Sequence, residues 1–556
     1  MTTLRIPAQR PQRRWPMALA LMALAVALVV IGVLLVRRGG GGGGPAGDPR
    51  GRTAKAADAG PPAPVASVTT EGRPPAPPTP APWAPTEPRT LDLHADTPYQ
   101  QVHKGPFQLD KRLKFGDMDV PRLREGKYLG QYWVIWVPPA ESDHAAFAEK
   151  SWAGLEHMLD TSGGALEVAT TPEEIKKLAE ADHIAIIPCM EGAHALGDDP
   201  ANLRPWAARG LRYLGLTWNN SNPFADAALD PHPPNGGLSA KGQKLVRTAE
   251  ELGVAVDVSH AAATTFWDVY VAGERPFIAS HSDARSLNDH PRNLDDLQLW
   301  AIADAGGIVG VNYHAVFLTG GKKASLADVA THAEHLARVM GKAHVALGSD
   351  YDGLIFKPSG LKDVTQVPKL YEALAARGWT PAELSGLASG NALRVLGDIA
   401  ARRKRPRPPT LAPVEVLDAG GDSASGHAAL LAADRNVLTA WRPPLTAPQA
   451  ALELRVAEIG QLGGLVVVSH DENIDGARAR ELEVELYDAR GTALGSPRRL
   501  RLADDGRPQV VGWPRTPEQD AAHGGGSVRV TIVSMQPGAR GAAGLAEVAP
   551  MRRAAD

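Results

Sequence analysis

Hydrophobic and polar positions follow three different patterns along the chain, each confined to its own region. Near the N-terminus, Met17 to Val36 is one apolar run without a charged residue. Between residues 90 and 404, short apolar runs rich in β-branched residues alternate with longer segments of helical periodicity, which predicts strands alternating with helices. Beyond residue 405, apolar residues recur with a period of two, which is typical of antiparallel strands.

Eight strands are predicted in the central region, most of them separated by a predicted helix. The strands are 90–95, 132–137, 184–190, 211–217, 254–259, 277–280, 307–313 and 344–349, and the helices include 171–181, 241–252, 262–272, 295–305 and 326–340. Eight βα units over residues 90–404 predict an α/β fold, a TIM (β/α)8 barrel, whose usual size is about 250 residues before insertions. A doubly wound open sheet is the alternative.

The two ends of the chain carry other elements. Residues 1–16 are basic, and residues 17–36 are long enough to cross the ~30 Å hydrocarbon layer, which predicts a transmembrane signal anchor. A cleaved signal peptide is the alternative, although its apolar core would be shorter. Residues 37–89, with a glycine run and many prolines, predict a tether. Residues 405–556 predict a linker and a β-sandwich of the jelly-roll type.

Composition narrows the function. The chain has 556 residues, a formal net charge of -3 and one cysteine, Cys189. Neither the charge nor a basic, aromatic-rich cluster favours nucleic acid, so we expect no nucleic-acid partner. One cysteine excludes an intrachain disulfide framework and any zinc site built from several cysteines. Metal ligands in this chain must therefore be histidine and carboxylate.

Two histidines end consecutive predicted strands. His260 follows Val-Ala-Val-Asp-Val-Ser, and His281 follows Pro-Phe-Ile-Ala-Ser. Adjacent parallel strands lie about 5 Å apart, so the two imidazoles should emerge side by side at the carboxyl edge of the sheet. The pair predicts a metal site. The alternative is two unrelated histidines hydrogen-bonded to loops.

Other reactive side chains also follow predicted strands, as a barrel enzyme requires. His94 and Asp96 end the first strand, and their i, i+2 spacing puts both on one face. Glu191 ends the third strand, and Asp350 ends the eighth. Each alone could be a helix cap or a turn residue. Together they predict one rim that carries histidines and carboxylates.

Six motifs occur in order between residues 90 and 396. They are Leu91 to Pro98, Asp119 to Gly126, Val256 to His260, Ser280 to Ser282, His290 to Leu294 and Gly348 to Gly353. With these motifs, the chain resembles the membrane dipeptidase (renal dipeptidase) family of zinc peptidases. The resemblance implies a barrel of the metal-dependent amidohydrolase type with two zinc ions. It assigns His94 and Asp96 to one zinc, His260 and His281 to the other, Glu191 to both, Asp350 to proton transfer and Arg292 to the substrate carboxylate.

The chemistry of these residues is consistent with such a role. Two zinc ions bridged by a carboxylate lie about 3.5–4 Å apart and can share a hydroxide, which is the expected nucleophile. Asp350 can take the proton and return it to the leaving amine. The Arg292 guanidinium matches a carboxylate with two parallel hydrogen bonds, so it would bind a free C-terminus. The alternative for Arg292 is a surface residue in a turn.

The chain departs from the renal enzyme's pattern after the fourth strand. That pattern ends in Leu-Thr-His, whose histidine helps to bind the substrate carbonyl, whereas Trp218 and Asn219 follow Leu216-Thr217 here. A missing oxyanion donor would cost about 10²–10³ in kcat unless the indole N–H or the Asn219 amide replaces it. Both residues are therefore predicted to bind substrate. The alternative is that Trp218 simply forms a wall of the pocket.

The C-terminal region carries a fainter resemblance. Asp434 to Trp441 and Gly544 to Val548 resemble short motifs of discoidin-like, galactose-binding-like jelly rolls. The resemblance implies a glycan or another cell-surface ligand. A domain that only packs on the barrel is the alternative.

These observations predict a membrane-anchored zinc dipeptidase. We expect a single-pass protein of the cell membrane with the catalytic domain outside the cytoplasm, a dipeptide substrate and two zinc ions per chain; a homodimer is one arrangement that fits. Another two-metal amidohydrolase acting on a lactone or an N-acyl amino acid is one alternative. A non-catalytic peptide or glycan receptor on the same scaffold is the other.

Overall fold

The computed structural model describes residues 69–71, 83–405, 410–411, 414–418, 451–456, 459, 462–469, 479–502, 509–512, 517–535 and 545–552. The predicted anchor at residues 17–36, the basic segment before it and most of the 37–89 tether lie outside these residues. Among the helices that the structure does describe, none is both long and apolar enough to span a bilayer.

Eight parallel strands form the barrel and pair in chain order. They are β1 (Thr90–Ala95), β2 (Tyr128–Trp136), β3 (Ile184–Glu191), β4 (Tyr213–Gly215), β5 (Ala255–Asp257), β6 (Ile278–Ala279), β7 (Ile308–Val311) and β8 (Val345–Leu347). A short extra strand, Leu166–Val168, pairs with β3 outside this order. All eight predicted strands are confirmed, with ends that differ by a few residues.

The sheet closes between β1 and the segment that follows β8. Ala95 and Tyr351 form a parallel bridge, the Asp96 amide donates to the Tyr351 carbonyl at 2.9 Å, and the Asp350 amide donates to the His94 carbonyl at 3.1 Å. Inside the barrel, the buried Asp92 carboxylate accepts from the Ser349 amide at 2.9 Å. These contacts favour the barrel over the open sheet, because an open sheet leaves its two edge strands apart.

Helices surround the strands and form the connections. The α-helices of the barrel domain are Thr97–Lys104, Val120–Glu125, His144–Asp160, Pro172–Glu180, Leu203–Ala208, Ala240–Leu252, Ala263–Ala272, Asp296–Asp304, Ala315–Thr319, Leu326–Met340, Pro368–Ala376, Pro381–Ser385 and Asn391–Ala400. Short 3₁₀ turns occur at Ala193–Leu196, Pro200–Asn202, Lys342–His344 and Val364–Gln366, and a π-helical turn at Gly386–Gly390. The predicted helices at 171–181, 241–252, 262–272, 295–305 and 326–340 are all present.

Local signals explain where these helices begin and end. The Ser239 side chain caps helix Ala240–Leu252, and Gly253 ends it in the left-handed conformation with φ 71°. Asp295 begins helix Asp296–Asp304 with a capping box completed by Gln298. Such caps satisfy amide groups that the first turn leaves without helical partners.

Two glycines allow the strands beside the active-site edge to pack closely. A Cβ atom on Gly310 would lie 2.0 Å from the Ser280 carbonyl oxygen, and one on Gly348 would lie 1.9 Å from the same oxygen. No side chain fits at such distances, because the neighbour is backbone rather than a flexible side chain. The close approach fixes the backbone just before His281.

The C-terminal region is a β-sandwich. One sheet contains, in order, Thr69–Glu71, Arg498–Arg501, Ala479–Asp488, Gly526–Met535, Ala451–Val456 and Val414–Asp418, and the other contains Thr410–Leu411, Leu545–Arg552, Leu462–Ser469 and Gln509–Gly512. A short helix, Pro517–Asp520, lies between strands. Buried leucines and valines from both sheets form one core. The antiparallel strands predicted beyond residue 405 are therefore present in the described part of this region.

Two parts of the predicted tether take part in folded structure. Thr69–Glu71 pairs in parallel with Arg499–Arg501. Trp83 packs against barrel residues, so packing begins before residue 90. A linker between domains would make neither contact, and these parts of residues 37–89 are therefore not simple spacer.

Candidate active site

A cavity of about 290 Å³ opens at the carboxyl edge of the barrel strands. Barrel enzymes carry their chemistry at this edge, since the loops after the strands converge there. The lining contains acidic, imidazole and apolar groups: Asp96, Tyr99, Trp136, Glu191, Trp218, Asn219, Leu229, His260, His290, His314, Val316, Phe317, Asp350, Gly353, Leu354 and Ile355.

Three imidazoles converge on one carboxylate oxygen. Glu191 Oε1 lies 3.0 Å from the Nε2 atom of His260 and 3.4 Å from that of His281. It also lies 3.8 Å from Nε2 of His94. Glu191 ends β3 and His94 lies in β1, whereas His260 and His281 follow β5 and β6, so parallel strands distant in the chain bring the four groups together.

The other ring nitrogen of each histidine contacts a neighbour outside this cluster. His94 Nδ1 lies 2.8 Å from the Tyr213 hydroxyl, and His281 Nδ1 lies 2.8 Å from the Ser280 hydroxyl. His260 Nδ1 lies 2.8 Å from the Asn219 amide oxygen, an acceptor that favours the proton on Nδ1. These contacts direct all three Nε2 atoms towards Glu191, as in histidines whose second nitrogen is oriented for metal binding.

Two further carboxyl groups lie beside the histidines. Asp96 Oδ2 is 3.8 Å from His94 Nε2, and Asp350 is hydrogen-bonded to Asp96 and to the Asn312 amide at 3.2 Å. Gly353 leaves room for this pair, because a Cβ atom there would lie 2.6 Å from Asp350 Oδ1 and 2.9 Å from Asp96 Oδ2. Asp96 also precedes helix Thr97–Lys104, yet its side chain does not cap that helix.

The backbone is constrained at two of these positions. His260 has φ 67° and Asp350 has φ 61°, both in the left-handed region that non-glycine residues seldom adopt. Such conformations persist where the surrounding structure enforces them, and they cluster at functional sites. At His260, the carbonyl accepts a hydrogen bond of 2.7 Å from the Ala228 amide, which ties the residue to the loop after β4.

Burial dominates the electrostatics of the cluster. It raises the pKa of Glu191 and Asp96 well above the usual range, and neighbouring carboxylates raise both further. The pKa of Asp350 rises to about 6, also through burial. Burial and then nearby positive groups lower the pKa of His94, His260 and His281. The three imidazoles are therefore neutral, and the buried carboxyl groups are costly to ionise. A bound cation would coordinate the imidazoles and stabilise the ionised carboxylates.

The donor atoms fit a metal ion. Two groups of side chains bring their ligand atoms within 4.8 Å of one another: His94, Glu191 and His281 form one, and His94, Asp96 and Asp350 form the other. His94 Nε2, Asp96 Oδ1 and Glu191 Oε1 are buried and have no hydrogen-bond partner within the described part of the chain. Imidazole nitrogen and carboxylate oxygen are the ligands that zinc accepts in catalytic sites.

The structure therefore brings together the five predicted metal ligands and Asp350. Trp218 forms part of a wall, with its ring 5.1 Å from that of Trp136 and 6.1 Å from that of His260. Asn219 also lines the cavity, but its amide oxygen contacts His260. This oxygen therefore orients the His260 ring and is not the atom that would bind substrate.

Arg292 lies beneath the cavity surface. Only 3% of the residue is exposed, it does not belong to the cavity lining, and its Nη2 donates to the His281 carbonyl at 3.4 Å. The alternative of a surface residue in a turn does not fit this burial. Burial also lowers the pKa of Arg292 to about 10, so the guanidinium remains charged at neutral pH.

Several residues at the site were missed by sequence analysis. Tyr213 lies within β4 and contacts His94, while Asn312 follows β7 and contacts Asp350. Asn312 follows a barrel strand, so the rule that reactive side chains lie at strand ends could have found it, as it found the predicted metal ligands. His290 and His314 line the cavity from loops whose path the sequence does not predict.

Asp352 is close in sequence to Asp350 but has a different environment. Its Oδ2 accepts from the Thr97 hydroxyl at 2.7 Å, and its Oδ1 accepts from the Asp117 amide at 2.7 Å. With φ 62° and both oxygens engaged, Asp352 holds the loop after β8 in place.

Comparisons with known proteins match the barrel. A family model described as Membrane dipeptidase (Peptidase family M19) matches residues 86–408. The chain is similar to "Dipeptidase aclJ" of Aspergillus oryzae, with 32% identity over 299 residues, 51% of this chain and 70% of the relative. It is also similar to a solved metallo peptidase from Rhodobacter sphaeroides liganded with a phosphinate mimic of the dipeptide L-Ala-D-Ala, with 27% identity, a TM-score of 0.53 and coverage of 56% of this chain and 99% of that chain.

The C-terminal region has a weaker likeness. It is similar to the family 32 CBM from C. perfringens NanJ, solved in complex with galactose, with 13% identity, a TM-score of 0.21 and coverage of 26% of this chain and 100% of that chain. A likeness this low carries no conclusion about a ligand. The Asp434 to Trp441 motif lies outside the described residues.

We predict that Asp350 contributes stability to the metal-free protein at low pH and that this contribution is lost as the pH rises from about 4 to about 7. Burial raises the pKa of Asp350 to about 6 in the folded state, from an ordinary value of 3.8. Between these values, the folded state holds a proton that the unfolded state has lost, so the free energy of unfolding falls as pH rises, by at most about 1.4 kcal/mol per pH unit for one group. Denaturant unfolding with a chelator present measures this slope.

Asp350→Asn is the matched variant, because the amide does not titrate. Between pH 4 and 7, the free energy of unfolding of the wild type should fall relative to that of the variant. Identical slopes in the two proteins would show that Asp350 is not a buried titrating group.

Proposed function

We propose that this chain, which belongs to the membrane dipeptidase family, is a zinc-dependent enzyme that hydrolyses dipeptides with a free C-terminal carboxylate. The observation that carries the proposal is the convergence of three imidazole Nε2 atoms on Glu191 Oε1, within 3.0 to 3.8 Å. Hydrogen bonds among three neutral imidazoles and one carboxylate oxygen cannot give each of these atoms a partner of good geometry. Metal ligation gives every one of them a partner.

The residues divide into two sets of ligands around a shared carboxylate. In this proposal, His94 and Asp96 hold one zinc ion, His260 and His281 hold the other, and Glu191 contacts both. When bound, the two ions would supply Lewis acids that polarise the scissile carbonyl and activate the attacking water. Zinc is proposed over other metals because the ligands combine imidazole with carboxylate and open onto a cavity.

The chain's own residues position the ligands and move the proton. Asp350 lines the cavity and has a pKa of about 6, which suits a group that accepts a proton from water and returns it to the leaving amine near neutral pH. The Asn312 amide donates to Asp350 Oδ2 at 3.2 Å and holds its carboxylate. Asn219 and Tyr213 orient His260 and His94.

We predict that His281→Ala loses most bound zinc and most dipeptidase activity, because the change removes one of the proposed direct ligands beside Glu191. Metal analysis of the purified, zinc-loaded protein and hydrolysis of a dipeptide panel measure the two effects. His157→Ala is the control, since His157 lies in helix His144–Asp160 outside the cavity lining.

Three outcomes would count against the proposal. Full zinc content in His281→Ala would remove His281 from the ligands. Zinc-loaded wild-type protein that hydrolyses no dipeptide would favour a receptor, and hydrolysis restricted to lactones or N-acyl amino acids would favour another amidohydrolase.

We predict that Asp350→Asn keeps its zinc and its fold but loses turnover by about 10²–10⁴-fold, because an amide of the same shape cannot accept the proton. The kcat for the best dipeptide, with zinc content measured in parallel, checks this. Asp352→Asn is the matched control: its loop contacts should make it less stable, with a near-normal kcat. A near-normal kcat in Asp350→Asn would contradict the role.

We propose in addition that residues 17–36 anchor the protein in the cell membrane with the barrel outside the cytoplasm. The support is the apolar length of this segment. Full-length protein should stay with membranes after alkaline carbonate extraction, while a variant that starts at residue 37 should not. Release of the full-length protein would contradict the anchor. Dimerisation and a glycan ligand for the C-terminal domain stay predictions.

A further inference from the structure

The two strands that lead to His260 and His281 share little backbone pairing. β5 and β6 are in register at one pair of residues, Asp257 and Ile278, and the Val258 amide donates to the Ile278 carbonyl at 2.8 Å. Each histidine follows the end of its strand within three residues. The further contacts that join the two strand ends come from side chains.

The buried Asp257 carboxylate makes the first of these contacts. Its Oδ1 atom accepts from the amide of Ser259, which precedes His260, at 3.0 Å, and from the amide of Ser280, which precedes His281, at 2.8 Å. The Ser259 hydroxyl accepts in turn from the His281 amide at 3.0 Å. One carboxylate oxygen thus connects the backbone segments before two predicted zinc ligands.

The other oxygen of Asp257 reaches His281 through a hydroxyl group. The Ser280 hydroxyl donates to Asp257 Oδ2 at 2.6 Å, and its oxygen lies 2.8 Å from His281 Nδ1. Two more distant neighbours, the Ser259 hydroxyl and His94 Nδ1, are each 3.4 Å away. A hydroxyl has one hydrogen atom, and the short contact with a carboxylate holds it. The Ser280 oxygen therefore accepts from His281 Nδ1–H.

This order of donors and acceptors determines the tautomer of His281. With the proton on Nδ1, the neutral ring has its lone pair on Nε2, the atom that lies 3.4 Å from Glu191 Oε1. A metal ion binds through that lone pair, and hydrogen bonding at the second ring nitrogen also makes the imidazole a stronger ligand.

We propose that Asp257 is a positioning residue for the zinc ion assigned to His260 and His281. It fixes the distance between the two ligands through backbone amides, and it fixes the tautomer of His281 through Ser280. The inference rests on the proposed function and deepens it. Neither Asp257 nor Ser280 lines the cavity, so both act through the ligands rather than on the substrate.

Asp257→Asn keeps the shape of the side chain but reverses the order of donors. The amide oxygen of the variant has to stay at the Oδ1 position, because two backbone amides donate there, and its NH2 group therefore faces Ser280. The hydroxyl then accepts from this NH2 group and donates to His281 Nδ1, which puts the ring proton on Nε2. Since that tautomer has no lone pair on Nε2, we expect zinc binding to weaken by about 10- to 100-fold.

Two measurements on the full-length protein follow this reversal. Competition with a chelator measures the affinity for the zinc ion that His281→Ala loses. Nitrogen NMR of metal-free protein with isotope-labelled histidine measures the tautomer, and the His281 signals are identified by their absence in His281→Ala. We expect Nδ1–H on His281 in the wild type and Nε2–H in Asp257→Asn.

Ser280→Ala provides a rescue that a purely structural role would not produce. Without the hydroxyl, the reversed order of donors cannot reach His281. The double variant Asp257→Asn/Ser280→Ala should therefore bind zinc more tightly than Asp257→Asn, and about as tightly as Ser280→Ala alone. If Asp257→Asn does not fold, Ser280→Ala alone decides: loss of the hydroxyl should give His281 a mixture of the two tautomers, and unchanged Nδ1–H would overturn the inference.

Asp119→Asn is the matched control. Asp119 is also a buried carboxylate that accepts from two backbone amides, those of Arg122 and Leu113, and it does not line the cavity. The control should have a lower melting temperature, with zinc affinity and the His281 signals unchanged.

The outcomes separate this inference from the proposed function. Nδ1–H on His281 in Asp257→Asn, or a double variant whose zinc affinity falls by the product of the two single losses, would overturn the inference even in an active dipeptidase. If the wild type binds zinc and the variants respond as expected, but no dipeptide is hydrolysed, the proposed function fails while the inference stands.

Discussion

The constraint on which the site depends is the burial of three carboxyl groups beside a single guanidinium. Asp96, Glu191 and Asp350 meet at the barrel rim, and the charge of Arg292 acts on Glu191 and Asp350. Uncompensated buried carboxylates are costly, so the groups either hold protons or bind a cation. The imidazoles respond to the same burial by staying neutral, which leaves their Nε2 lone pairs available. A bound cation would relieve the cost of burying these carboxylates and would use the free Nε2 atoms of the imidazoles.

The backbone of the barrel holds these side chains close together. Hydrogen bonds between strands fix the backbone on both sides of each ligand, and Gly310 and Gly348 let the backbone of β6 and its neighbours approach closely. Small backbone shifts therefore cannot move the predicted metal ligands apart. The left-handed conformations of His260 and Asp350 show the same enforcement.

Sequence reasoning predicted the eight strands because period and composition are local properties. It predicted His94, Glu191, His260 and His281 because strand ends converge in any barrel. It did not predict the contact between the Asn219 amide oxygen and His260, since that contact depends on a side-chain rotamer. It also missed His290 and His314, because these residues reach the cavity through loops whose course depends on tertiary packing.

The cavity is chemically asymmetric. Tyr99, Trp136 and Trp218 form an aromatic wall, with ring centroids 4.8 and 5.1 Å apart, while His290 and His314 form the polar end. A dipeptide is asymmetric in the same sense, because only one of its ends is an anion. Trp218 stands where the renal enzyme's pattern has a histidine, and its ring lies 5.1 Å from that of Trp136, so the aromatic residue at this position shapes the wall of the cavity.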